Sequence, residues 1–241
     1  MRSLNKAEIQ ARFDRRNKLH DFEVDALFDV KNLKPIQYRY LEKGVRYQWI
    51  WDIETSDFNP LGNFIIGYCG IMRDILTGKT ESYEDNITKK DIKSAVENDS
   101  FDFDRRLLQT LGWNIKQCDQ AVGHYSTKFD MPFFRTRCLL TEQYDLIPDY
   151  SEVTQGDTWR YMKTSMKAPR NTLMNLSLYT KTPNQKTHVS MEHWKRIYFS
   201  SNPKWEKSMS YIMDHCRKDV AMTLRAVKKI EGFNNIGRTL V

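Results

Sequence analysis

At 241 residues, with 38 Lys or Arg against 31 Asp or Glu and a formal net charge of +7, the chain can bury one sizeable core and is basic enough to favour a phosphate-rich partner. Its four cysteines, Cys69, Cys118, Cys138 and Cys216, lie far apart without a CxxC pair. That excludes a zinc-ribbon spacing and a disulfide framework, and points to a reducing, intracellular (cytoplasmic) setting. The start MRSLNKAEIQARFDRR lacks a signal-peptide core and no later run of apolar residues would span a bilayer, so no membrane partner is expected.

The first forty-five residues read as helical. LNKAEIQARFDRRNKLH has helix-forming composition, DFEVDALFDVKNL carries apolar residues at three- and four-residue spacing, and KPIQYRYLEKG closes on Gly44, a helix stop. Such short basic helices suit a small helix-turn-helix-like unit, although an extension packed on the main domain is the simpler reading. From Tyr47 the pattern turns to strands: YQWIWDIE, then NFIIGYCGIMR, then TESYED after the turn LTGK, together a three-stranded meander. A helix over about 103–118, a strand in QAVGHY, a helix in FFRTRCLL and a strand in DTWRYMK follow. The rest reads as helix through NTLMNLSLYTKT, HVSMEHWKRIYFSS and SMSYIMDHCRKDVAMTLRAVKKIEG. Strands first and alternating helices afterwards predict an α/β domain with a mixed sheet covered by helices. The expected division is a helical extension over 1–45, the α/β domain over 46–235 and a tail over 236–241.

Ten basic residues between Trp159 and Ser208 face only Glu192 and Glu206. Clustered Lys and Arg suit nucleic acid through counterion release, and equally suit a solvated surface.

Within the first strand, Asp52 and Glu54 are two apart and project to one face. Adjacent carboxylates repel unless a cation sits between them, yet D-x-E is also common at solvated strand ends. In the last helix His215 and Asp219, four apart, share a face beside the apolar stripe of Met209, Ile212, Cys216, Val220, Leu224 and Val227. An ordinary surface pair would look the same. A third acid, Asp130, sits among Phe129, Met131, Pro132 and Phe133. Pro132 fits a first helical turn, which would make Asp130 an N-cap, or else its carboxylate meets a metal or a bound water.

Taken in order, WDIET at 51–55, GHYSTKFDMPFF at 123–134 and HCRKD at 215–219 resemble the three motifs of the DEDD superfamily of 3′-to-5′ exonucleases. The form is similar to that of family B DNA polymerase proofreading domains and their stand-alone relatives, over roughly Tyr47 to Glu231. This resemblance implies a ribonuclease H-like mixed five-stranded sheet. It also implies two divalent cations, Mg²⁺ or Mn²⁺, about 4 Å apart, held by Asp52, Glu54, Asp130 and Asp219, one generating the attacking hydroxide and one stabilising the leaving 3′ oxygen. Thr55, Tyr125 and Phe129 become expected contacts to the terminal nucleotide. His215 stands where the family's third motif has tyrosine, and the histidine branch places its histidine five residues before the aspartate rather than four. With an unperturbed pKa near 6.5, His215 is the candidate general base. A second departure is His124-Tyr125 where Tyr-Asn is usual. The length leaves no room for a polymerase, so a free-standing nuclease or a subunit is expected.

The expected activity is hydrolysis of single-stranded DNA from its 3′ end, releasing nucleoside monophosphates, with replication or repair proteins as the expected class of protein partner. RNA as substrate is the alternative within the fold. An inactive nucleic-acid-binding module is the alternative of another class, disfavoured because four metal-free carboxylates would repel phosphate.

Overall fold

The computed structural model of the protein describes residues 34–149, 151–183 and 187–232. The helices expected over 4–33 and the tail over 236–241 lie outside the described residues. Helix α1, Pro35–Glu42, precedes Gly44, whose φ of 70° ends the turn. Five strands then build one sheet: β1 (Tyr47–Thr55), β2 (Ile65–Asp74), β3 (Thr80–Asn86), β4 (Gln120–Gly123) and β5 (Thr154–Asp157), in the order β3-β2-β1-β4-β5. The first three are an antiparallel meander, whereas β4 and β5 run parallel to β1.

β1 lies at the centre of the sheet, and its alternation decides what each face carries. Trp49, Trp51 and Ile53 point one way, all buried. Tyr68, opposite Ile53, joins them and its hydroxyl accepts from Asn114 Nδ2 at 2.8 Å, so this face is the one covered by α3 (Arg105–Lys116). Gly70, opposite Trp51, leaves space for the Trp49 ring, which a Cβ there would meet at 2.0 Å. Ile50, Asp52 and Glu54 occupy the other face, opposite Ile71, Cys69 and Gly67. The long α8 (Trp205–Glu231) crosses β1 and β2 on that side. Its approach is close: a Cβ on Gly67 would lie 2.5 Å from Met213 Sδ.

Between these elements run α2 (Lys89–Glu97), α4 (Asp130–Leu140), a 3₁₀ turn at Tyr144–Leu146, α5 (Thr158–Ser165), α6 (Leu173–Tyr179) and α7 (Met191–Ile197). The sequence pattern had not signalled α2, though Thr88 and Asp91 form a capping box at its start. DTWRYMK, expected as a strand, is helix α5. Its β-forming Thr158 and Trp159 are overruled because Asp157 Oδ1 accepts from the amides of Trp159 and Arg160, and because Thr158, Tyr161 and Met162 bury one helical face. The last strand is instead the short Thr154–Asp157.

Two ion pairs, one buried and one partly buried, tie the layers together. Arg137 of α4 forks onto Asp104 at 2.9 and 2.7 Å, while Asp104 also accepts from Ile65 N at the start of β2. Glu231, at the end of α8, receives Arg73 of β2 at 2.6 and 2.9 Å and the Tyr40 hydroxyl at 2.9 Å, which fastens both α8 and α1 to the sheet. No helix of the described residues is long and apolar enough to cross a membrane.

Candidate metal centre

The alternation of β1 and the register of α8 bring an acidic pair and a third, sequence-distant acid to one place. Asp52 and Glu54 leave β1 toward α8. From that helix Asp219, 7 % exposed, is among the acids whose charge acts on Glu54. Glu54 is only 8 % exposed and receives no hydrogen bond from the described residues. Burial, followed by the charges of Asp52 and Asp219, pushes its carboxyl well above the ordinary range. The described charges that act on Glu54 are acidic, those of Asp52, Asp219 and Asp130; a carboxylate buried among them is costly in isolation, and an added cation is what such a donor set fits.

Asp130 does not cap its own helix through a free side chain, as one sequence reading allowed. It is the first residue of α4, and its Oδ1 reaches across to accept from Ile53 N at 3.1 Å, between Asp52 and Glu54. Full burial lifts its pKa to about 7, against the lowering effect of that amide and of its own backbone N–H. The carboxylate is thereby tied to the backbone of the strand that carries the acidic pair, and its charge also acts on Glu54.

His215 sits at the edge of the cluster, its Nε2 3.8 Å from Asp219 Oδ2 and its Nδ1 3.0 Å from Thr187 Oγ1. One donor atom each from Asp52, Glu54 and Cys216 lie within 4.8 Å of one another. Cys216 was expected only as part of an apolar stripe. Its placement beside the acids has no signal in periodicity, since a thiol fills a core position as well as a methyl group does.

The loop after β4 carries the other expected residues. Gly123 makes room for Ser126, which folds back over it, and Tyr125 takes the left-handed φ of 70°. This loop is held by a residue that sequence reasoning missed. Asp157, fully buried, accepts from Tyr125 N and Thr127 N at 3.0 Å each and from Thr127 Oγ1 at 2.5 Å, besides capping α5. An Asp directly before a helical pattern was its only trace in the sequence. Tyr125, 43 % exposed, meets Trp159 edge to face, and Lys163 Nζ lies over that indole. Phe129 packs between Phe133 and the exposed Phe58. Thr55 follows a break in the β1–β2 register after Glu54, which re-aims its side chain. Structure therefore gathers Asp52, Glu54 and Asp219, attaches Asp130 and His215 to them, and puts Tyr125 and Phe129 on the loop that leads into Asp130.

The basic stretch divides. Arg160, Lys163, Lys167, Arg170, Lys181, Lys195, Lys204 and Lys207 are exposed, Arg196 is engaged by Glu192, Lys186 lies outside the described residues, and Tyr161 belongs to the core.

Neither a protein-family model nor a curated protein matches this chain. Among solved structures it is similar to a family B DNA polymerase. That enzyme, from the hyperthermophilic archaeon Pyrobaculum calidifontis, superposes with a TM-score of 0.54 at 17 % identity, over 78 % of this chain and 25 % of the polymerase. The likeness is one of fold: a mixed five-stranded sheet flanked by helices, of the ribonuclease H-like kind expected from the sequence. This chain thus spans about a quarter of the polymerase it matches.

Proposed function

We propose that the protein is a metal-dependent 3′-to-5′ exonuclease acting on single-stranded DNA and releasing nucleoside monophosphates. The observation that carries this reading is Glu54: a buried carboxylate without a hydrogen-bond donor among the described residues, set against Asp52 and Asp219 on a fold shared with part of a DNA polymerase. Asp52, Glu54 and Asp219, with Asp130 tied to the same strand, are the residues that would hold two Mg²⁺ or Mn²⁺ ions. When bound, such ions supply Lewis acidity toward the scissile phosphate and charge stabilisation for the leaving oxygen.

The chain's own groups do the rest. Asp130, fixed by Ile53 N, keeps the acidic strand from shifting as charge accumulates. Thr187 holds His215 Nδ1, which leaves Nε2 on the Asp219 side, where it orients the attacking water and takes its proton. Tyr125 and Phe129 offer ring edges and faces to the terminal nucleotide, with Thr55 beside the acidic pair. The exposed Lys163, Lys167 and Arg170 meet the phosphates upstream.

Incubation of 5′-labelled single-stranded DNA with the protein and Mg²⁺ tests the reading. A ladder of shortened products that vanishes in Asp52→Ala supports it, while a strand retarded but left intact identifies a binding module instead. An RNA strand run alongside ranks the two polynucleotides as substrates.

A further inference from the structure

The carboxylate cluster does not rest on oxygen donors alone. Cys69 stands opposite Asp52 in the β1–β2 register, so both side chains point toward α8. From α8, the fully buried Cys216 brings its Sγ to 3.8 Å from Asp52 Oδ2 and 3.5 Å from the Asp52 carbonyl oxygen. The two thiols adjoin one another. Cys69 Sγ in turn lies 3.9 Å from Glu84 Oε2 and from the Met213 carbonyl. Independently of the thiols, Glu54 aims a nine-tenths buried carboxylate, with no hydrogen-bond donor among the described residues, into the same space.

Thiolates select soft or borderline cations over magnesium. On one tetrahedral zinc, a sulfur ligand at about 2.3 Å and an oxygen ligand at about 2.1 Å stand about 3.6 Å apart. The Cys216 Sγ to Asp52 Oδ2 separation of 3.8 Å is already near that spacing. We propose that Cys216, together with Asp52 and Glu54 and with Cys69 adjoining it, forms a mixed thiolate–carboxylate site for a thiophilic divalent cation such as zinc or cadmium, overlapping the cluster assigned above to magnesium or manganese. It rests on the reading of Asp52 and Glu54 as metal ligands. Binding releases each ligating thiol's proton to solvent and involves no electron transfer. Because Asp52 and Glu54 are shared, a thiophilic ion competes with magnesium and acts as an inhibitor.

The test is titration of the metal-free full-length protein with Cd²⁺, followed by the ultraviolet thiolate-to-cadmium charge-transfer band. The expected band saturates at equimolar metal, is lost in Cys216→Ser, weakens in Cys69→Ser and is unchanged in Cys118→Ser. Circular dichroism confirms that each variant is folded. Should one variant fail to fold, the other two still decide. Absence of the band in wild type, or a band indifferent to both Cys216→Ser and Cys69→Ser, overturns the proposal. Magnesium-dependent DNA degradation is measured separately: degradation without a cadmium band removes the thiol site and leaves the exonuclease, whereas a band without degradation supports the thiol site and removes the exonuclease.

Discussion

Glu54 and Asp130 set the electrostatics of the site. Both hold their protons more tightly in the folded metal-free chain than when unfolded, chiefly through burial. A raised carboxyl pKa means the folded state binds more protons, so stability is highest below the unfolded value and falls as pH rises through the folded one. For Asp130 that window runs from 3.8 to about 7, with a slope of up to about 1.4 kcal/mol per pH unit for one proton. Thermal melts in chelator should therefore show stability declining across this window, and Mn²⁺ should restore it. Glu54→Gln removes a repelled charge, so the chelated protein should gain on the order of 1 kcal/mol while losing much of the Mn²⁺ effect. A Glu54→Gln variant that melts lower in chelator would count against the repulsion. At position 215, His215→Phe should lower kcat about 10²-fold, and His215→Tyr, the residue of the resembling motif, should retain most of it; equal losses would take the side chain's polar atom out of the chemistry. The D-x-E alternation made Asp52 and Glu54 legible from the sequence. Cys216 was hidden, because its distance from Asp52 depends on how α8 is rotated over β2, which no local pattern encodes.

At the scale of elements, α8 and the β4–α4 loop are the parts that must be held in place. Gly67 lets Met213 approach β2, and Glu231 locks the far end of α8 to Arg73. Asp157 does the corresponding work for the loop, accepting from three loop donors and two α5 amides. Asp157→Ala strips all five and should cost at least about 2 kcal/mol in chemical denaturation, with Asp157→Asn intermediate because one oxygen acceptor survives. If Asp157→Ala unfolds at the wild-type denaturant concentration, the anchoring role fails. The meander β1–β3 and the last helix could be read directly, since each carries its own period. By contrast, β-forming side chains mask the N-cap of α5, and the start of α2 is written in the capping box of Thr88 and Asp91.

Across the whole molecule, the sheet order puts β1 between β2 and β4, so acids from β1, from the start of α4 and from α8 converge on one end of the central strand. This convergence is a property of topology and could be inferred beforehand only through the resemblance of three ordered motifs. The exposed Lys167 and Arg170 make a separate claim about the surface. With Asp52→Ala to block cleavage, the further change of both to Ala should reduce the salt slope of single-strand binding by about 1.4, two phosphate contacts at about 0.7 each; an unaltered slope would place the strand elsewhere. The central claim concerns the cluster itself, and anomalous scattering from crystals soaked in Mn²⁺ tests it most directly. The expected result is an anomalous peak bounded by Asp52, Glu54 and Asp219, absent from an Asp52→Asn crystal soaked in the same way. A soaked wild-type crystal with no peak among these three side chains would contradict it.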